Sequence, residues 1–186
     1  MNAYDFDNTI YRGDSTVDFY VHCLTRFAGV RAHALSLIGP GLRFVTGQLD
    51  KTSFKQTFFS FLGCVPDVEG EVIRFWDKHA HKIKPFYRAQ SRPDDIIISA
   101  SPEFLLRLII QRLGLTKLIA SRVDERTGIY TGLNCHGEEK VLRLRASDPK
   151  ATIDDFYSDS QSDAPLARIA RRAFLVKGDR ITPWNP

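Results

Sequence analysis

Two carboxylates, Asp5 and Asp7, stand almost at the start of the sequence within Asp5-Phe6-Asp7-Asn8-Thr9. In an extended chain, residues i and i+2 point to the same side, so the pair converges while Phe6 packs away from it. Anions held that close repel unless a cation or a shared proton compensates. The pair reads either as a site for a hard divalent metal and acid–base chemistry, or as a solvated Asp-x-Asp turn after an edge strand. Which one holds depends on whether later segments bring further polar groups to the same place.

The elements that must position the pair follow from patterning. Ala3 to Phe6 reads as a short strand. Ile96-Ile97-Ile98-Ser99-Ala100 is an unbroken apolar run bounded by turn residues, the pattern of a central parallel strand buried on both faces. Leu118 to Val123, Ile153 to Tyr157 and Ala173 to Val176 read as further strands. Between them, Ser101-Pro102-Glu103 predicts a helix with Ser101 as its N-cap and Pro102 in its first turn, running from Phe104 to Leu113 and stopping at Gly114. The Gly128 and Gly132 region predicts a hairpin-like excursion over 122–135. Helices are expected from Glu138 onward, over Ala164 to Arg172, and briefly through Tyr87 to Ser91, with a Pro-containing tail ending the chain. Strands alternating with helices imply a parallel sheet with crossover helices, whose site lies at the carboxyl ends of the strands. Asp5, Asp7, Ser99 and Asp159 all fall there.

From Asp14 to about Ile83 the pattern is helical throughout, with no convincing strand. Asp50-Lys51-Thr52-Ser53 predicts a cap for a helix bearing Phe54, Phe58, Phe59, Phe61 and Leu62, which Gly63 ends. Val65-Pro66-Asp67 opens another, carrying Val68, Val72, Ile73, Phe75 and Trp76. The expected organisation is a catalytic core of residues 1–13 and 84–186, with 14–83 inserted as a helical subdomain.

The 186 residues are 43% hydrophobic and 11% aromatic, with a formal net charge of +4 and no low-complexity run. That composition indicates a soluble globular chain with a real core. Its mild basicity suits an anionic small substrate, and the scattered Lys and Arg give no nucleic-acid signature. Cys23, Cys64 and Cys135 lack any CxxC spacing, so reduced structural thiols are expected. No basic and apolar leader follows Met1, and the most apolar stretch, 27–45, contains Arg31, His33, Pro40 and Arg43. Neither a signal peptide nor a transmembrane span is expected, which gives a cytoplasmic location.

Four segments in order resemble the haloacid dehalogenase superfamily, in its phosphoserine-phosphatase-like branch. Asp5-Phe6-Asp7-Asn8-Thr9 is similar to its DxDxT motif. Ile97-Ile98-Ser99 is similar to its apolar strand ending in Ser or Thr. Lys140 after Gly137-Glu138-Glu139 is similar to its helix-start lysine. Ser158-Asp159-Ser160-Gln161-Ser162-Asp163-Ala164-Pro165 is similar to its terminal acidic motif. The resemblance implies a Rossmann-like three-layer α/β/α fold with a parallel-sheet core and an inserted small α-helical cap.

It also implies a Mg²⁺-dependent phosphomonoesterase. Asp5 would be the nucleophile, forming an aspartyl-phosphate that water hydrolyses. Asp7 would be general acid and then general base. Asp5, the Asp7 backbone carbonyl and Asp159 would hold Mg²⁺, with Asp163 orienting a metal water or Lys140. Ser99, the Ala100 N–H and Lys140 would bind the phosphoryl oxygens. Asp14 falls where phosphoserine phosphatases place a substrate-facing acid, and supports a role at the cap entrance. The alternatives are a phosphotransferase using the same aspartyl-phosphate chemistry, and a lapsed Mg²⁺- or phosphate-binding module. The expected partner is a small phosphate ester. The phenylalanines of 54–61 are expected to pack within the cap; if some face the site, an apolar, aromatic or lipid-like ester is favoured. Nothing in the sequence sets an oligomeric state.

Overall fold

Ile96, Ile97 and Ile98 are all buried, as a strand enclosed on both faces must be, and the helices are layered around that strand and its neighbours. The computed structural model describes residues 1–39, 41, 46, 47 and 57–186. Among these, six strands make one sheet: β1 Ala3–Tyr4, β2 Ile96–Pro102, β3 Lys117–Ser121, β4 Ile153–Ser158, β5 Ala170–Lys177 and β6 Arg180–Pro183. Their spatial order is β3-β2-β1-β4-β5-β6, with every neighbour parallel except β5 and β6. The first strand is shorter than the expected Ala3 to Phe6 because the chain already turns at Phe6, whose carbonyl accepts from the Ile10 and Tyr11 amides. The ladder nevertheless reaches Asp5, whose N–H donates to the Tyr157 carbonyl at 2.9 Å.

Seven α-helices lie wholly within the described residues: α1 Ser15–Arg26, α2 Ala28–Ser36, α3 Val68–His79, α4 Pro85–Gln90, α5 Glu103–Arg112, α6 Glu138–Ser147 and α7 Ala164–Ile169. Strand alternation sorts their packing. Tyr4, Ile97 and Tyr157 face a cluster with Phe19, Phe75, Trp76, Tyr87 and Leu105. Ala3, Ile96, Ile98 and Phe156 face the opposite one, with Leu144, Leu166 and Trp184. Helices thus cover both faces of the sheet, as a three-layer α/β/α fold requires.

The sequence expectation holds well for α3. Asp67 caps it by accepting from the Gly70 amide at 2.9 Å, and Val68, Val72, Phe75 and Trp76 form its buried stripe, whereas Ile73, expected with them, is exposed. Trp76 then donates its indole N–H to the Leu105 carbonyl at 2.6 Å and sets its ring edge-on to Phe6, within the segment that carries Asp5 and Asp7. The start of the helix expected from the Asp50–Ser53 cap lies outside the described residues; residues 57–59 are helical and run into a 3-10 turn at Ser60–Cys64, which carries Phe61 and Leu62. Cys23 and Cys135 are buried and Cys64 half-buried, and all three are free thiols.

Three expectations need correction. Ser101 and Pro102 belong to β2, and α5 begins at Glu103 without a side-chain cap; Ser101 has a partner elsewhere, described below. The helix expected to reach Arg172 stops at Ile169, because β5 pairs with β4 from Ala170 onward and Arg172 grips Asp155 across the strands at 2.6 Å. The tail is an ordered strand, β6, turned back by Gly178 at φ 60°.

The 122–135 excursion is present, with Val123 bridging antiparallel to Tyr130. It is fastened to the helical side through Gly128, which sits at φ 75°, where an added Cβ would come 2.2 Å from the Phe59 carbonyl oxygen. Tyr130 stacks edge-on against the Phe59 ring, 5.8 Å between centroids. Gly128→Ala is therefore expected to lower stability by about 2 kcal/mol, from backbone strain and the clash together, measured as a drop in the thermal midpoint. An unchanged midpoint would show that this contact is not tight.

Candidate active site

Asp5 sits where β1 ends, at the centre of the sheet, and its side chain is held from two directions. Its Oδ1 accepts from Lys140 Nζ at 2.7 Å, and its Oδ2 from the Thr9 hydroxyl at 3.2 Å. Thr9 in turn accepts from the Asp159 amide at 2.9 Å, tying the first acidic segment to the loop after β4. Lys140 lies in the first turn of α6, behind Gly137 at φ 60°, and is almost fully buried. It also donates to Asp163 Oδ2 at 2.8 Å, which accepts a second bond from Ser158 Oγ at 2.7 Å.

Asp7 follows in a tight loop. Asn8 takes a left-handed conformation at φ 56°, its N–H donates to the Gly13 carbonyl, and buried Lys84 caps its carbonyl. This closure brings the start of α1 over Asp7. The Ser15 N–H donates to Asp7 Oδ1 at 2.6 Å, and the Ser101 hydroxyl donates to Oδ2. Ser99 is buried, and its Oγ accepts from the Ser101 amide at 3.1 Å, which leaves its own O–H as a donor. Asp14 is exposed and serves as the N-cap of α1, accepting from the Thr16 and Val17 amides at 2.9 and 3.0 Å.

All the residues singled out from the sequence, namely Asp5, Asp7, Asp14, Ser99, Ala100, Lys140, Asp159 and Asp163, line one cavity of about 420 Å³. Sequence reasoning missed Ser101 and Thr16, which line it too, and expected the phenylalanines of this stretch to pack within the cap unless some face the site. Both phenylalanines border the cavity beside Val17, although they also touch each other. Thr9 was visible in the motif but carried no assigned part. His136 is part of the lining.

The electrostatics show a centre short of positive charge. Burial pushes the Asp5 carboxyl up to about 6, with Lys140 opposing and Asp163 and Asp159 adding to the rise. Burial and the Asp14 charge push Asp7 up to about 7, against the stabilising donors Ser101 and Ser15. Asp159 is raised as well, chiefly by burial, with Lys177 opposing. Burial pulls the Lys140 ammonium down, but Asp5 and Asp163 outweigh it and the net shift is upward. One buried lysine among several carboxylates leaves room for a further cation. Among the described residues no three His, Cys, Asp or Glu side chains form a metal cluster. Two carboxylates, a backbone carbonyl and water, however, are a donor set that suits Mg²⁺, which keeps several waters.

Comparison with known proteins bears on the fold and the family. A probable phosphatase of Mycobacterium tuberculosis is 33% identical over 94 residues, covering 47% of this chain and 33% of that protein, so the match spans a third of the relative's length. A Bordetella pertussis protein of unknown function superimposes with a TM-score of 0.71 at 20% identity, covering 93% of this chain and 87% of that one. A probable phosphoserine phosphatase from Vibrio cholerae does so at 0.67 and 14% identity, covering 92% and 55%. Likeness at such identities concerns the fold. The family model for haloacid dehalogenase-like hydrolases matches residues 3–168, nearly the whole chain. The chain belongs to the haloacid dehalogenase-like hydrolases.

Proposed function

We propose that this chain hydrolyses a phosphate monoester through an aspartyl-phosphate formed on Asp5. The observation that carries this reading is the placement of Lys140, 2.7 Å from Asp5 and 2.8 Å from Asp163, in the same cavity as Asp7 and Ser99. In the first step an Asp5 carboxylate oxygen bonds to phosphorus as the ester P–O bond breaks, and Asp7 gives its proton to the leaving oxygen. In the second, Asp7 takes a proton from water as that water attacks phosphorus, which frees phosphate and restores Asp5. The Ser99 O–H and Ala100 N–H contact the phosphoryl oxygens, and Lys140 offsets their charge. Asp5, Asp159 and the Asp7 carbonyl would hold Mg²⁺, which when bound screens the repulsion between the attacking carboxylate and the phosphoryl group. Asp163 keeps Lys140 aimed at Asp5. The relative named a probable phosphatase supports the same activity.

Residues 14–83 are read as a cap over this core, with the α1 end of the cavity as its floor. Val17, Phe58 and Phe59 give the cavity an apolar part to its lining. That supports an ester of an apolar or aromatic alcohol, including a lipid-like one. Asp14 at the rim is committed to capping α1, so a direct contact with substrate is assigned only to its outward oxygen. Among the described residues no helix is long and apolar enough to cross a membrane.

The test is a Mg²⁺-supplemented screen of aryl, alkyl, lipid, sugar, nucleotide and amino-acid phosphates by phosphate release, with and without added alcohol acceptors. Aryl and apolar esters are expected to lead. EDTA is expected to remove the activity and excess Mg²⁺ to restore it. Turnover that persists in EDTA would contradict the proposed carboxylate set, and phosphate moving to alcohols in preference to water would make the chain a transferase.

A further inference from the structure

Ser101 is nearly buried at the end of β2, past the register shift that follows Ile98, and it lines the cavity together with Ser99. Its hydroxyl touches two groups, Asp7 Oδ2 and the Thr16 hydroxyl, the latter at 2.9 Å. A serine hydroxyl has one proton, and when Asp7 is ionised its carboxylate takes it. The Thr16 O–H must then be the donor in the second contact. The other Asp7 oxygen accepts from the Ser15 N–H at 2.6 Å. Ser15 and Thr16 open α1, whose register is fixed by the Asp14 cap. Both oxygens of Asp7 are thus held from α1, one directly and one through Ser101.

We propose that Ser101 and Thr16 form a two-hydroxyl strut that orients Asp7 for protonating the leaving oxygen, so that the acid step works only with α1 seated on β2. This rests on the reading of Asp7 as the proton donor. A carboxyl anchored at one oxygen can swing about its last torsion; anchored at both, its plane is fixed. General acid catalysis needs the proton within hydrogen-bond reach of its target, so a swinging carboxyl loses rate in that step. As the Asp5–phosphorus bond forms and the ester bond breaks, the bonding pair moves to the leaving oxygen, which takes the Asp7 proton. An alkoxide requires that proton. A nitrophenolate leaves as a stable anion and scarcely does. Ser101 and Thr16 are positioning residues, and leaving-group dependence is the readout that a merely structural role would not move.

The experiment compares kcat/KM, which reports the steps through leaving-group release, on benzyl phosphate and 4-nitrophenyl phosphate in Mg²⁺. Ser101→Ala is expected to lose at least about tenfold more on the benzyl ester than on the nitrophenyl ester. Thr16→Val is expected to shift the ratio in the same direction, and Thr16→Ser, which keeps the hydroxyl, to return it to the wild-type value. Equal losses on both esters overturn the strut. If Ser101→Ala does not fold, as judged by circular dichroism, Thr16→Val at its half-buried position decides in the same way. Asp7→Asn is run beside them. If it leaves the ratio unchanged, the reading of Asp7 as the proton donor falls, and if the parent chain releases phosphate from neither ester, the reading of it as a phosphatase of aryl and apolar esters falls. A steepened ratio in Asp7→Asn without one in Ser101→Ala overturns the strut alone.

Discussion

Asp5→Asn is expected to reduce phosphate release from an aryl phosphate by on the order of 10⁴-fold while leaving the chain folded. The amide matches the carboxylate in shape but has no anionic oxygen to bond to phosphorus, so no aspartyl-phosphate can form. Stability should barely suffer. In the folded chain the Asp5 carboxyl is raised to about 6 by burial, so its charge opposes folding at neutral pH, and a neutral amide removes that penalty. Lys140 loses one acceptor but keeps Asp163 at 2.8 Å. The thermal midpoint is therefore expected within a few degrees of the parent's, and the phosphoenzyme, trapped by acid quench with labelled substrate, should vanish. Substantial turnover in this variant would exclude Asp5 as the nucleophile.

Local chemistry made the centre of the site readable. Asp5, Asp7 and Asp159 stand at strand ends, where alternation and turn residues reveal them, and Lys140 follows a recognisable helix start. Contacts made at long range were harder to read. Ser101-Pro102-Glu103 has every local mark of a helix start, yet the half-buried Asp7 carboxylate claims the hydroxyl and β2 runs on through Pro102. A partner so distant in sequence leaves no trace in local patterning.

The strand beginning at Ala170 was hidden for a related reason. Arg171 and Arg172 read as a helix face, but cross-strand pairs with Asp154 and Asp155 make them strand residues near the sheet edge. Phe58 and Phe59 look like packing residues and do pack, so nothing in their spacing marks the part of their surface that faces the cavity. Fold layers and acid positions were therefore legible from periodicity. The hydroxyls and aromatics that complete the site depend on tertiary placement.

Lys140→Met tests the charge balance at the centre of this arrangement. The substitution keeps the apolar stem and removes the one ammonium that lies between Asp5 and Asp163. Two buried carboxylates are then left without their counter-ion, a change that costs about 3–5 kcal/mol when one partner of a buried pair is deleted. Activity is expected to fall together with stability, so activity alone would not reveal the cause. Two further measurements do, both by denaturant unfolding in EDTA. First, Lys140→Met/Asp163→Asn should recover part of the lost stability, because one of the stranded charges is gone; the two changes should couple rather than add. Second, the deficit should depend on pH. In the parent, the lysine's folded-state pKa is raised, so its contribution is complete at neutral pH and is lost only in strong alkali. In the variant, Asp5 loses the cation that lowers its pKa and rises above its present value of about 6. Protonation then relieves the repulsion, and the deficit should shrink between about pH 7.5 and about pH 5.5. A deficit indifferent to both Asp163→Asn and pH would mean that Lys140 acts there as packing and not as the counter-ion of Asp5.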